Sequence, residues 1–97
     1  MTEHFNKLTS AEAERLAMLA EEAGEIAQMI GKILRHGYES YHPDDNDQVS
    51  NRVLLKNEIN DFFGVVHGMV LMNDLSPLTF YDADTAWQRK LKYAHHQ

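Results

Sequence analysis

The chain has 97 residues, with 15 acids against 9 bases, a formal net charge of −6 and no cysteine. That length makes one domain, residues 1–97, near the lower size at which a chain buries a good core alone. The acidic balance, with no Lys/Arg run longer than two, argues against duplex nucleic acid or an anionic membrane surface as partner. The lack of cysteine excludes disulfides and thiolate metal sites and suits a reducing compartment.

Residues 1–6 are polar and lack the apolar stretch of a signal peptide. The first helix is predicted to start at Thr9, which forms a capping-box signature with Glu12. Its apolar stripe is Leu16, Leu19, Ala20, Ala23, Ile26, Ala27, Ile30, Ile33 and Leu34, at alternating helical spacings. Arg35 and His36 suit a helix C-terminus, and Gly37 is a natural residue to follow it. Residues 38–50 read as a polar connection around Pro43.

A second helix is predicted from Ser50 or Asn51 to about Met72. Leu55, Ile59, Phe62, Val66 and Met69 form its stripe, and Leu54, Val65 and Val70 widen it over much of the circumference. Residues 62–72 are apolar and uncharged but fall far short of the roughly 20 residues of a membrane span, so a cytoplasmic protein with no membrane partner is expected. A turn at Asp74–Pro77 leads to a third helix, with Pro77 at its first position after Ser76. That helix carries Phe80, Trp87, Leu91 and Ala94, with an interruption around Asp82–Asp84. The expected fold is all-α, an antiparallel helix bundle. Three helices, one apolar nearly all round, leave surface that one copy cannot bury, so completion of the bundle by homo-oligomerisation is expected, as a dimer or a dimer of dimers.

Two acidic pairs carry the chemistry. Glu22/Glu25 and Glu58/Asp61 each place two carboxylates three residues apart on one helical face. The second pair sits among Ile59, Phe62 and Phe63. Four carboxylates gathered by two packed helices need a cation. Magnesium fits, since it prefers oxygen ligands and keeps waters that phosphates can displace.

Glu21-Glu22-Ala-Gly-Glu25 followed by Glu58-Ile-Asn-Asp61 resembles the E-E-x-x-E … E-x-x-D signature of the MazG-like all-α nucleoside triphosphate pyrophosphohydrolases. The Leu-Arg-His-Gly stretch ending at Gly37 is also similar to the short single-domain type. The 32 residues between Glu25 and Glu58 make a longer gap than many relatives have, with the excess in 38–50. The resemblance implies Mg2+, with Mn2+ as a substitute, on Glu22, Glu25, Glu58 and Asp61. It also implies cleavage of a nucleoside triphosphate between its α- and β-phosphates, to monophosphate and pyrophosphate, as in nucleotide-pool cleansing. Glu21 or Glu25 would take the proton from the attacking water. The same scaffold would also serve phosphoribosyl-ATP or another pyrophosphate-linked metabolite. A non-catalytic helical interaction module is the rival outside enzymes.

Lys32 and Arg35 follow the first motif at helical spacing, and Arg89, Lys90 and Lys92 form the other basic group. Each group reads either as phosphate contacts or as helix-end and surface charge. Asn57 and Asn60 flank the second pair and suit a sugar or base. Trp87 and His67 read as packed side chains. Glu39-x-x-His42, the acidic run Asp44–Asp47 and the His95–His96 pair lack the partners or spacing of a metal site.

Overall fold

The computed structural model describes residues 5–97, so the signal-peptide reading of residues 1–6 lies partly outside the described residues. Three helices follow in chain order, α1 (Ser10–His36), α2 (Asn51–Leu71) and α3 (Phe80–Leu91), and the described residues include no strand. No helix among them is long and apolar enough to cross a membrane.

The ends of α1 form where local chemistry dictates. The Thr9 backbone N–H donates to Glu12 Oε1 at 2.8 Å, and the Glu12 N–H donates to Thr9 Oγ1 at 3.1 Å. This reciprocal box satisfies donors that the first turn otherwise leaves open. At the other end Gly37 adopts φ 89°, a backbone that glycine takes without penalty, and its N–H donates to Ile33 O at 2.7 Å.

Residues 38–50 return the chain through a small polar knot. Asn51 is buried, donating its amide to Gly37 O at 3.1 Å and its backbone N–H to Ser40 O at 2.8 Å. Beside it the Arg52 guanidinium pairs with Glu39 at 2.7 Å and lies 4.3 Å over the Tyr38 ring. Glu39 is thus engaged by Arg52, and His42 Nδ1 accepts from the Asp44 N–H. Asp45 accepts from the Asp47 and Val49 N–H groups. The Asp45 carboxylate thus organises this turn.

Ser50 caps α2, accepting from the Val53 N–H at 3.3 Å. The expected start of the third helix at Pro77 is corrected to Phe80. Thr79 is the cap, accepting from the Asp82 N–H at 3.0 Å. The expected break at Asp82–Asp84 does not occur, because Asp82 falls in the first turn, where a negative charge favours the helix.

Among the described residues only α1 and α2 pack together, as an antiparallel hairpin. On α1 the half-buried and buried seam runs Glu12, Arg15, Leu19, Glu22, Ile26, Met29 and Ile33. On α2 it runs Asn51, Leu55, Glu58, Phe62, Val65 and Met69. Both alternate steps of three and four, the repeat of two helices packed along their length. Among the described residues the buried apolar side chains are Met29, Val66 and Met69.

The stripe expected on α1 therefore divides. Leu19, Ile26 and Ile33 face α2, while Leu16, Ala20, Ala23, Ala27, Ile30 and Leu34 form a second, exposed seam. One neighbour covers only part of a stripe wider than about 100°. Trp87 and His67, read as packed, are exposed as well, because α3 rests on neither helix and His67 lies on the outer side of α2. The radius of gyration is 17.3 Å, against about 13 Å for a compact chain of this length.

Candidate functional site

Seam positions put the acids where they are. Glu22 enters the α1–α2 contact from one helix and Glu58 from the other, and Asp61 follows Glu58 by one turn. One carboxylate oxygen from each of Glu22, Glu58 and Asp61 lies within 4.8 Å of the other two. The Oε2 atoms of Glu22 and Glu58 are buried and have no hydrogen-bond partner. Buried polar atoms are almost always paired, so two orphans in one cluster call for an explanation.

Electrostatics agree with geometry. Burial is the main force pushing the Glu22 carboxyl above its ordinary 4.5, followed by the charges of Glu25 and Asp61. Glu58 is pushed in the same direction, first by its contact with the Glu25 carboxyl, then by burial and by the charges of Glu25, Asp61 and Glu22. Glu25 thus borders the triad and touches Glu58. Among the described residues no cation pairs with any of these four acids.

The nearest arginine in the seam is already committed. Arg15 binds Asp74 through two parallel bonds, Nε to Oδ2 at 2.5 Å and Nη2 to Oδ1 at 2.9 Å. That fork holds the Asp74 carboxyl below its ordinary 3.8 and ties the turn after α2 to the start of α1. This pair spans 59 residues and follows no local motif. The signal that remained was an arginine at an inward helical position, which needs an acid somewhere.

An open groove flanks the cluster on each side. One, of about 470 Å³, is lined by Glu25, Gln28, Met29, Lys32, Arg35 and Glu58. The other, of about 580 Å³, includes Arg15, Met18, Glu22, Asn60, Asp61 and the bare backbone of Gly64 and Gly68. The structure therefore brings Lys32 and Arg35 together with the acids. Glu21 is exposed and lines neither groove, and the same holds for Asn57. Arg89 and Lys90 sit exposed on α3, away from both helices. Gln28, Met18 and the two glycines were not singled out in the sequence; two glycines four apart inside a helix were the available signal.

A hard divalent cation fits this donor set, which offers only carboxylate oxygens, two of them buried and unpartnered. Comparison of the chain with family models, with curated proteins and with solved structures gives no match.

Proposed function

We propose that the chain is a Mg2+-dependent nucleoside triphosphate pyrophosphohydrolase of the MazG-like type, acting as a homo-oligomer. The observation that carries this reading is the Glu22/Glu58/Asp61 cluster with its two buried, unpartnered oxygens. Glu22, Glu25, Glu58 and Asp61 would hold the ion. When bound, magnesium supplies charge neutralisation at the polyphosphate and a lowered pKa for a coordinated water. Lys32 and Arg35, along the groove that Glu25 and Glu58 share, meet the terminal phosphates. Glu25 or Glu21 accepts the proton of the attacking water, and the position of Glu25 against Glu58 favours Glu25. Arg89 and Lys90 are assigned to a neighbouring copy, since α3 packs on neither helix of its own chain. A cytoplasmic location and a role in cleansing nucleotide pools go with this reading.

The test is a panel of ribo- and deoxyribonucleotides with Mg2+, measuring pyrophosphate and orthophosphate separately. Pyrophosphate with a nucleoside monophosphate is expected, and Glu22→Gln and Asp61→Asn should abolish it. Orthophosphate alone, or full activity in both variants, would refute the assignment. Adding phosphoribosyl-ATP to the panel separates the metabolite-hydrolase reading. The unpacked α3 also favours, as a second reading, a non-catalytic module that docks a partner; such a module gains no stability from Mg2+.

A further inference from the structure

The two grooves beside the acids differ in charge, and the difference orients a substrate. The groove along Glu25 and Glu58 carries Lys32 and Arg35, and Lys32 lies about 15 Å along α1 from Glu22. The groove along Glu22 and Asp61 offers no free positive charge, because Asp74 neutralises Arg15 through the two-bond fork. A polyphosphate is repelled there. An uncharged, partly apolar group is not, and Met18, Val65 and Leu71 supply an apolar surface for it.

The floor of this second groove is set by two glycines. Gly64 and Gly68 follow Asp61 by three and seven residues, about 4.5 and 10.5 Å along the α2 axis. Glycine weakens a helix interior relative to alanine, so its presence twice in α2 asks for a reason. Packing among the described residues of one chain does not provide one, since a Cβ at either position would meet nothing within 4 Å there. What the glycines supply is open, flat backbone one to two turns from the acidic cluster. Asn60, at the edge of the same groove, offers an amide donor and acceptor to a ring or sugar edge.

We propose that this groove is the nucleoside half of the site, with the base laid across Gly64 and Gly68, so that these glycines and Asn60 determine which nucleotides bind. The proposal rests on the triphosphate reading above. The nucleoside lies on the Gly64 side of the acids, and the terminal phosphates lie on the Lys32 side.

The experiment compares binding of Mg2+ with α,β-methylene-ATP, which resists cleavage between those phosphates, and of Mg2+ with inorganic tripolyphosphate, which has no nucleoside. Gly64→Leu and Gly68→Leu fill the groove. They are expected to lower the preference for nucleotide over tripolyphosphate at least about tenfold. Gly64→Ala and Gly68→Ala, which should melt no lower than the parent, are expected to shift it in the same direction by less. An unchanged preference in the leucine variants overturns the proposal. So does an equal loss of both ligands, and so does dissociation of an oligomer, which would make the groove an interface with a second copy. A parent protein that hydrolyses no triphosphate refutes the enzyme reading. A parent that hydrolyses them while its leucine variants bind nucleotide undiminished refutes only the nucleoside groove.

Discussion

Replacing Phe80 by serine should leave the α1–α2 hairpin intact and dissociate the proposed homo-oligomer. The exposed area of the chain is 8210 Å², whereas a compact monomer of 11.2 kDa exposes about 5,700 Å². The excess, about 2,500 Å², matches what each partner of a large obligate dimer covers. Two unpartnered apolar faces account for much of it: the Leu16–Leu34 seam of α1, with Leu34 82 % exposed, and α3, with Phe80 96 % exposed. Covering a side chain of that kind contributes about 1.5–3 kcal/mol, and nearly all of the Phe80 contribution is still to be gained. A two-fold assembly counts it twice, so Phe80→Ser weakens association by about 3–6 kcal/mol, or about 10²- to 10⁴-fold in Kd. Sedimentation velocity over a nanomolar-to-high-micromolar series reads that shift, and the Mg2+-free melting transition of the dissociated chain reads the hairpin. A parent chain that stays monomeric throughout, or a variant that associates as tightly as the parent, would refute the reasoning.

Mg2+ should raise the melting temperature by mass action: at one hundred times its Kd the gain is about 2.7 kcal/mol, or about 10–20 °C for a domain of this size, and Glu58→Gln and Asp61→Asn should remove the rise in differential scanning fluorimetry. The metal-free protein should gain stability as pH falls from neutral toward the ordinary carboxylate range. Glu22 and Glu58 sit above 4.5 when folded, so their contribution is full below that value and is lost as pH rises through the raised values. At lower pH the sense reverses, because the Asp74 contribution is present above its ordinary 3.8 and is lost as pH falls through its depressed folded value; a pH series of melts in chelator should show the maximum between the two. Thr9→Ala should cost about 1 kcal/mol, or about 4–8 °C, by opening the capping box.

Local chemistry made the helix ends legible. Thr9 with Glu12, Gly37 and Ser50 each act within four residues, and each stands where the spacing places it. The start of α3 was not legible from Ser76-Pro77, because Thr79 with Asp82 offers a capped first turn further on. The spacing of the four acids showed which faces they occupy, but not which were buried. Burial depended on how the α1 stripe divided between α2 and open surface, and that division follows from the number of neighbours a helix has. Trp87 reads as core for the same reason: an apolar face implies a cover, and α3 has none among the described residues. The Arg15–Asp74 fork was legible only as an inward arginine in need of an acid, since nothing local to either residue names the other.

Glu12, Arg15 and Glu22 all occupy inward positions of α1, and Glu58 does so on α2. Glu12 closes the cap on Thr9, and Arg15 binds Asp74. Glu22 and Glu58 have no cationic partner among the described residues, and the Oε2 atom of each has no hydrogen-bond partner. Arg15 stands two turns from Glu22 and is already bound in a fork, while Lys32 and Arg35 line a groove with Glu25 and Glu58 without pairing to either. Two ways remain to satisfy the orphaned oxygens, a proton or a cation. A proton on Glu22 or Glu58 removes one charge and leaves Asp61 and Glu25 facing the same space. A divalent oxygen-seeking ion answers several carboxylates at once. Protons and Mg2+ then compete for the same atoms, so the stabilisation by Mg2+ should shrink as pH falls through the raised carboxyl values. Surface binding to ordinary carboxylates would lose its Mg2+ effect only at lower pH.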